Sequence, residues 1–253
     1  MRFFGKKVKL PLTQNRMWLD WDIAMSILGH ELEIKTTYKT LTKNNSRPTL
    51  FFDIGSNYGT HSLLLLKHGI PTFSFEPNPA CYEYFREICA LNHVDCNLQA
   101  VALGEKSNEV EFVYPEHEAW LGKISRDTSE SFNSDSEIRK IRVKQISLDS
   151  FVNSTGSRPT LIKIDTEGTE LEVLKGPVTT LCTCRPVIIF ESFKDSSRMK
   201  LFNFFRDNGY MVSFLPISRL SAIHCADYNE FAESSAANFL ALPNSSHDCV
   251  SVI

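Results

Sequence analysis

No apolar run in this sequence is long enough to span a membrane. There is no basic excess either. Lysine and arginine total 27 against 30 aspartates and glutamates, a net charge of −3, so the basic face of a general nucleic-acid binder is missing. Seven cysteines are scattered without a Cys-x-x-Cys pair or zinc spacing, which predicts reduced thiols and no metal centre built from them. Cys182 and Cys184 stand one residue apart and read as packing or loop residues. The amino terminus, MRFFGKKVKLPLTQ, is basic but lacks the apolar core of a signal peptide. Together these absences predict a cytoplasmic chain with no membrane partner and no nucleic-acid partner. What is present is ordinary for a globular protein: 253 residues with 42% hydrophobic content, enough for one α/β domain with a small appendage.

Residues 1 to 48 differ from the rest. Arg16 to Leu32 carries Met17, Trp18, Trp21, Ile23, Ala24, Ile27 and Leu28 at roughly helical spacing. This predicts one or two amphipathic helices packed on the main domain, with the tryptophans as packing anchors. The polar stretch Lys43 to Pro48 marks the boundary, so residues 1–48 form a helical extension and 49–253 the main domain.

The main domain alternates short apolar strands with helices. Strands are expected over Leu50–Ile54, Pro71–Phe75, Asn97–Leu103, Thr160–Asp165, Pro186–Glu191, Tyr210–Leu215 and Asn238–Leu242. Helices are expected over His61–His68, Pro79–Leu91, Leu148–Val152, Glu170–Lys175 and Asp195–Asn208. Two further strands, Glu109–Tyr114 and Ile138–Ser147, alternate apolar and polar residues. The pattern predicts a Rossmann-like α/β fold, a seven-stranded, mostly parallel sheet with helices on both faces and an antiparallel final pair. Pro115 to Glu137 is polar and long for a loop, and is expected to be a lid or a substrate loop.

The stretch TLFFDIGSNYGTH, Thr49 to His61, reads as a buried strand, a glycine turn and a helix start. Such a turn, at the carboxyl end of the first strand of a doubly wound sheet, binds ligands. The Gly-x-Gly-x-x-Gly spacing of a pyrophosphate cradle is absent. Gly55 and Gly59 are four apart with Asn57 between them, and Asp53 before the turn would repel a phosphate. An acid there suits a cationic ligand. S-adenosylmethionine, with a sulfonium, an ammonium and no phosphate, fits better than a nicotinamide dinucleotide. Glu76 closes the second strand about twenty residues on, where an acid accepts hydrogen bonds from ribose hydroxyls.

Three acids cluster after the fourth strand: Asp165, Glu167 and Glu170. The sheet should carry Asp165 and Glu167 to the ligand edge, where one of them orients an acceptor or takes its proton. Glu170 falls in a first helical turn, where the helix dipole alone favours an acid. His61 lies in the first turn of the first helix, and either reaches the methionine end of a cofactor or the acceptor, or caps the helix. Asp165 and Glu191 stand at the ends of adjacent strands, but the second acid and the amide of a metal-dependent methyltransferase are missing beside Glu191, so no metal is expected.

Asp53-x-Gly55-x-Asn57-x-Gly59 resembles the first motif of class I S-adenosylmethionine-dependent methyltransferases, with Asn57 where many have glycine. LIKIDTEGTELEVLKG, Leu161 to Gly176, closely resembles the signature of the FkbM family of methyltransferases. FEPNP at Phe75, ISLDSF at Ile146 and RPVIIFE at Arg185 extend the likeness in the same order over Thr49 to Glu191. The resemblance implies a methyltransferase that binds S-adenosylmethionine through Asp53, Gly55, Asn57, Gly59, Glu76, Pro77, Asn78, Ala102 and Asp165. It implies catalysis by Asp165, Glu167 or His61. The implied acceptor is a small molecule or glycan, most often a hydroxyl of a sugar or secondary metabolite, with a peptide side-chain amide as the alternative. A binding module that has lost catalysis stays open. A nucleic-acid methyltransferase is disfavoured, since no Asn/Asp-Pro-Pro-aromatic motif follows the fourth strand.

Overall fold

The computed structural model describes residues 1–43, 47–125, 137–195, 197–217 and 223–244. Its centre is a seven-stranded sheet whose strands we label β1 (Phe51–Ile54), β2 (Thr72–Phe75), β3 (Leu98–Gln99), β4 (Leu161–Ile164), β5 (Val187–Glu191), β6 (Tyr210–Phe214) and β7 (Asn238–Pro243). Their spatial order is β6-β7-β5-β4-β1-β2-β3. β1 to β5 run parallel, and β7 lies antiparallel to both β5 and β6, as the alternation predicts.

Side chains alternate across the sheet, so each strand feeds two cores. Phe51, Leu161, Ile189 and Leu240 share one core with the amino-terminal helices and with Leu63 and Phe85. Phe52, Ile162, Ile188 and Phe239 face the other, with Phe151, Val173, Leu201 and Phe231. Helices therefore cover both faces. On the first face lie α1 (Met17–Gly29), α2 (Leu32–Lys43), α3 (Thr60–Lys67) and α4 (Pro79–Asn92). α4 starts at Asn78, whose side chain accepts the N–H of Ala80, with Pro79 in the first helical turn.

The structure departs from the sequence expectations in four places. The run 97–103 is two strands. The N–H of Val101 turns back to the carbonyl of Gln99 (2.9 Å), which ends β3. Ala102–Leu103 then joins a separate four-stranded sheet with Asn108–Pro115, Lys123–Ile124 and Ile138–Ile146. Two short helices, Val178–Cys184 and Tyr228–Glu233, stand where none is expected. Trp18 and Trp21 are more than half exposed; the buried stripe of α1 is Leu19, Asp20, Ile23 and Ile27, on the opposite side of the helix. Of the expected lid, 126–136 lies outside the described residues. Its first part carries a turn at Ala119–Leu121 and the strand Lys123–Ile124, which pairs with Phe112 and Val113.

Candidate active site

A cavity of about 660 Å³ opens at the carboxyl ends of β1, β2 and β4. Four stretches build its wall. Ile54 to Asn57 follow β1, Phe75 to Pro77 end β2, Val101 to Leu103 form the linker beyond β3, and Asp165 to Glu167 follow β4. The amino-terminal extension closes it with Met25, Ser26, His30 and Glu31. Trp120 and Ala119, from the expected substrate loop, also line it.

The glycine turn is shaped by its neighbours as much as by any ligand. Gly55 has φ +74, and a Cβ there would lie 1.6 Å from the carbonyl oxygen of Asp165. Gly59, outside the cavity wall, has φ +78 and would drive a Cβ into the ring of Phe85 at 2.3 Å. Asn57 adopts φ +52 and donates its N–H to Glu76 Oε2 (2.8 Å). The N–H of Asn78 meets Glu76 Oε1 at the same distance. Glu76 thus ties the glycine turn to the start of α4. Burial pushes its carboxyl up to about 7. Each oxygen keeps a lone pair for a further donor. Ser56 is buried in the wall and its hydroxyl has no partner. A buried unpaired hydroxyl in the same wall as two charge-capable acceptors suits a polar ligand bearing hydroxyl groups.

Other expected site residues sit elsewhere. Asp53 does not line the cavity. Strand alternation turns it toward α3, where it accepts the Ser62 hydroxyl (2.5 Å) beside Lys163, its register partner on β4. Asn78 also lies behind the wall; its side chain caps α4 and donates to the carbonyl of Ala119 (3.0 Å). Pro77 and Ala102 line the cavity.

The acids after β4 divide by role. Glu170 folds back over its own turn and accepts from Thr166 N–H, Thr166 hydroxyl and Gly168 N–H, each at 3.0 Å. It is a loop brace. Asp165 receives Lys163 Nζ at 2.6 Å. Glu167, at φ +54, lines the cavity; burial raises its carboxyl to about 7, helped by the charges of Asp165 and Glu170. Glu191, at the end of β5, is pushed up to about 10 by burial and then by Asp165 and Glu167, and its Oε2 is buried without a partner. Oxygens of Asp165, Glu167 and Glu191 lie within 4.8 Å of one another. Such a trio could hold a divalent cation or share a proton. The Lys163 ammonium already neutralises one member.

His61 lines the cavity, yet both ring nitrogens are engaged: Nε2 with Glu31 Oε2 (2.8 Å) and Nδ1 with the Tyr38 hydroxyl (3.1 Å). It is a bolt between α3 and the extension, with no ring nitrogen left for an acceptor proton. Glu31, which sequence reasoning passed over, sits at φ +48 between α1 and α2. Burial favours its neutral form, but Lys163, His61 and His30 outweigh burial and hold it ionised, well below the usual carboxylate range. Lys163 is held protonated in turn: burial opposes its charge, and Asp165, Glu31 and Asp53 overcome it. The only sequence signal for Glu31 is an acid in a short connection between two helices. No helix among the described residues is long and apolar enough to cross a membrane.

A family model described as the methyltransferase FkbM domain matches residues 53–215. The hexuronic acid methyltransferase AglP of Haloferax volcanii is 29% identical over 154 residues, which cover 60% of this chain and 59% of that protein. The crystal structure of a methyltransferase FkbM from Methylobacillus flagellatus superposes with a TM-score of 0.50 at 14% identity, over 92% of this chain and 56% of that one. The chain thus spans a little under three-fifths of the length of each. This likeness of fold agrees with the Rossmann-like, class I methyltransferase architecture of the central sheet.

Proposed function

The chain belongs to the FkbM methyltransferase family, and on that premise we propose that it transfers a methyl group from S-adenosylmethionine to a hydroxyl of a sugar. The observation that carries the proposal is one cavity that joins the glycine turn and Glu76 to the carboxylates after β4. The name of the Haloferax relative, a hexuronic acid methyltransferase, supports a sugar acceptor.

Gly55, Ser56, Asn57, Glu76, Pro77 and Ala102 would hold the donor. When bound, S-adenosylmethionine supplies a methyl group on a positively charged sulfur, which departs as the neutral thioether. Glu167 is the base. A carboxylate titrating at about 7 is available at neutral pH and is a stronger base than an ordinary one. It takes the proton of the acceptor hydroxyl as that oxygen gains the methyl group. Asp165 spends Oδ2 on Lys163 and offers Oδ1 to orient the acceptor. The extension and Trp120 shield the reacting atoms from water, and the shared wall holds acceptor and donor side by side. No metal is assigned to this step, because Lys163 supplies the positive charge beside Asp165.

The proposal is tested with tritiated-methyl donor and simple glycosides. Glu167→Gln should lower kcat by about a hundredfold or more, while calorimetry finds donor affinity within about twofold of the parent protein. Unchanged turnover in Glu167→Gln removes Glu167 as the base. A parent protein that fails to bind the donor removes the function.

A further inference from the structure

The charges around the cavity are unequal. Five carboxyl groups line it, Asp22, Glu31, Glu76, Asp165 and Glu167, against one ammonium, Lys163, and two imidazoles, His30 and His61. Among the described residues no arginine lines it. Lys163 and His61 are already committed, Lys163 to Asp165 and His61 to Glu31 and Tyr38. His30 Nδ1 lies 3.4 Å from Glu31 Oε2. Lys35, behind the wall, is spent on the carbonyls of Ser26 and His30. Lys123 pulls on Glu167 more weakly than Lys163 does and does not line the cavity. The wall also carries one buried unpartnered hydroxyl, Ser56, so it is built to receive a polar ligand.

Resting on the sugar-acceptor proposal, we infer that the acceptor is a neutral or amine-bearing sugar and not a uronic acid, and that Glu31 is the residue that enforces the choice. The donor brings its own carboxylate along with its sulfonium and ammonium, so a sugar carboxylate adds a further negative charge to a cavity where, among the described residues, no uncommitted lysine or arginine lines the wall, and a buried charge without a partner is costly. A hydroxyl or an ammonium finds acceptors in the carboxylates of Glu31, Asp165 and Glu167. Exclusion by like charge is a recognised route to specificity. Glu31 stands out among the five because, apart from the contacts of its Oε2 with His61 and His30, it has no part in holding the donor or moving the proton. Glu76 holds the glycine turn, Asp165 pairs with Lys163, Glu167 is the base, and Asp22 is exposed at the rim. Glu31 lies outside the matched family segment, which begins at residue 53. The chain can therefore share that segment with a hexuronic acid methyltransferase and still refuse a hexuronate.

The test compares methyl glucoside, methyl glucosaminide and methyl glucuronide as acceptors, with donor binding measured in parallel by calorimetry. For the parent protein, kcat/KM for the better of the first two should exceed that for the glucuronide by at least about tenfold. Glu31→Gln keeps the shape and removes one negative charge, and should close that gap severalfold by raising the glucuronide value. A glucuronide methylated as well as the glucoside by the parent protein overturns the inference. So does an unaltered preference in a folded Glu31→Gln; if that variant fails to fold, the parent preference alone decides. Donor bound with no sugar methylated overturns this inference and leaves donor binding standing. No donor bound overturns the function beneath it.

Discussion

Glu76 and Glu167 both titrate near 7, but their environments give them different work. Glu76 holds two backbone N–H groups, so Glu76→Gln turns one acceptor into a donor that faces a donor. Donor affinity should fall about tenfold or more. In the parent protein, donor affinity should rise between pH 6 and pH 8, because the ionised carboxylate is the better acceptor for ribose hydroxyls. Calorimetry across that range checks both; a flat pH profile removes Glu76 from the donor site. Turnover should rise over the same interval at saturating donor, because Glu167 accepts a proton only when ionised. In Asp53 and Glu31 the limits of residue-level reading are plain. Asp53 precedes the glycine turn, where an acid reads as a ligand group, yet strand alternation points it into the sheet face against Ser62. Glu31 belongs to no motif, and only the packing of α1–α2 onto α3 brings it against His61.

The glycine turn meets the turn after β4 where Gly55 faces the Asp165 carbonyl. Gly55→Ala would force a methyl group into backbone at a positive φ. We expect a loss of about 3 kcal/mol or more in chemical denaturation, or no soluble protein at all. The elements themselves were largely legible. Strands β1, β2, β4 and β5 are short apolar runs ended by acids or glycines, and α4 carries Asn78 and Pro79 at its start. The break in 97–103 was not legible, because Val101, Ala102 and Leu103 continue the apolar pattern while the chain leaves one sheet for another. On α1, the set Met17, Trp18, Trp21, Ile23, Ala24, Ile27 and Leu28 reads as one packing face with the tryptophans as anchors, but it spans both sides of the helix, and sequence alone does not say which side meets the core. The tryptophans lost to Leu19, Ile23 and Ile27, aliphatic side chains that pack against the leucines of α3.

The extension shares its core with the central sheet, so the described molecule should unfold as one unit. Ile34 and Tyr38 are buried beside Phe51 and Leu63. Ile34→Ala should cost about 2–4 kcal/mol and shift a single melting transition; two separate transitions would show that residues 1–43 fold independently. Buried acids also set the pH response of the whole molecule. Glu76 and Glu191 have folded values of about 7 and about 10, above their ordinary 4.5. The folded state therefore binds more protons than the unfolded state between those values. Their contribution to stability is complete below about 4.5 and drains as pH rises through 7 and on toward 10. Glu31 works the other way: its contribution is present above 4.5 and is lost only in acid. Denaturation midpoints at pH 5, 7 and 9 should fall in that order, and Glu191→Gln should flatten the upper half of the decline.

The meeting of Gly55 with the main chain at Asp165 has a consequence for how this scaffold diversifies. The gap between the proposed donor cradle and the proposed acceptor acids is gauged by peptide against peptide, Gly55 against the Asp165 carbonyl. Exchanging side chains can recolour either half, but it cannot widen or narrow that gauge. New acceptors must then be accommodated from above, by the hairpin that carries Glu31 and by the strand-and-turn segment around Trp120, while the floor keeps its spacing.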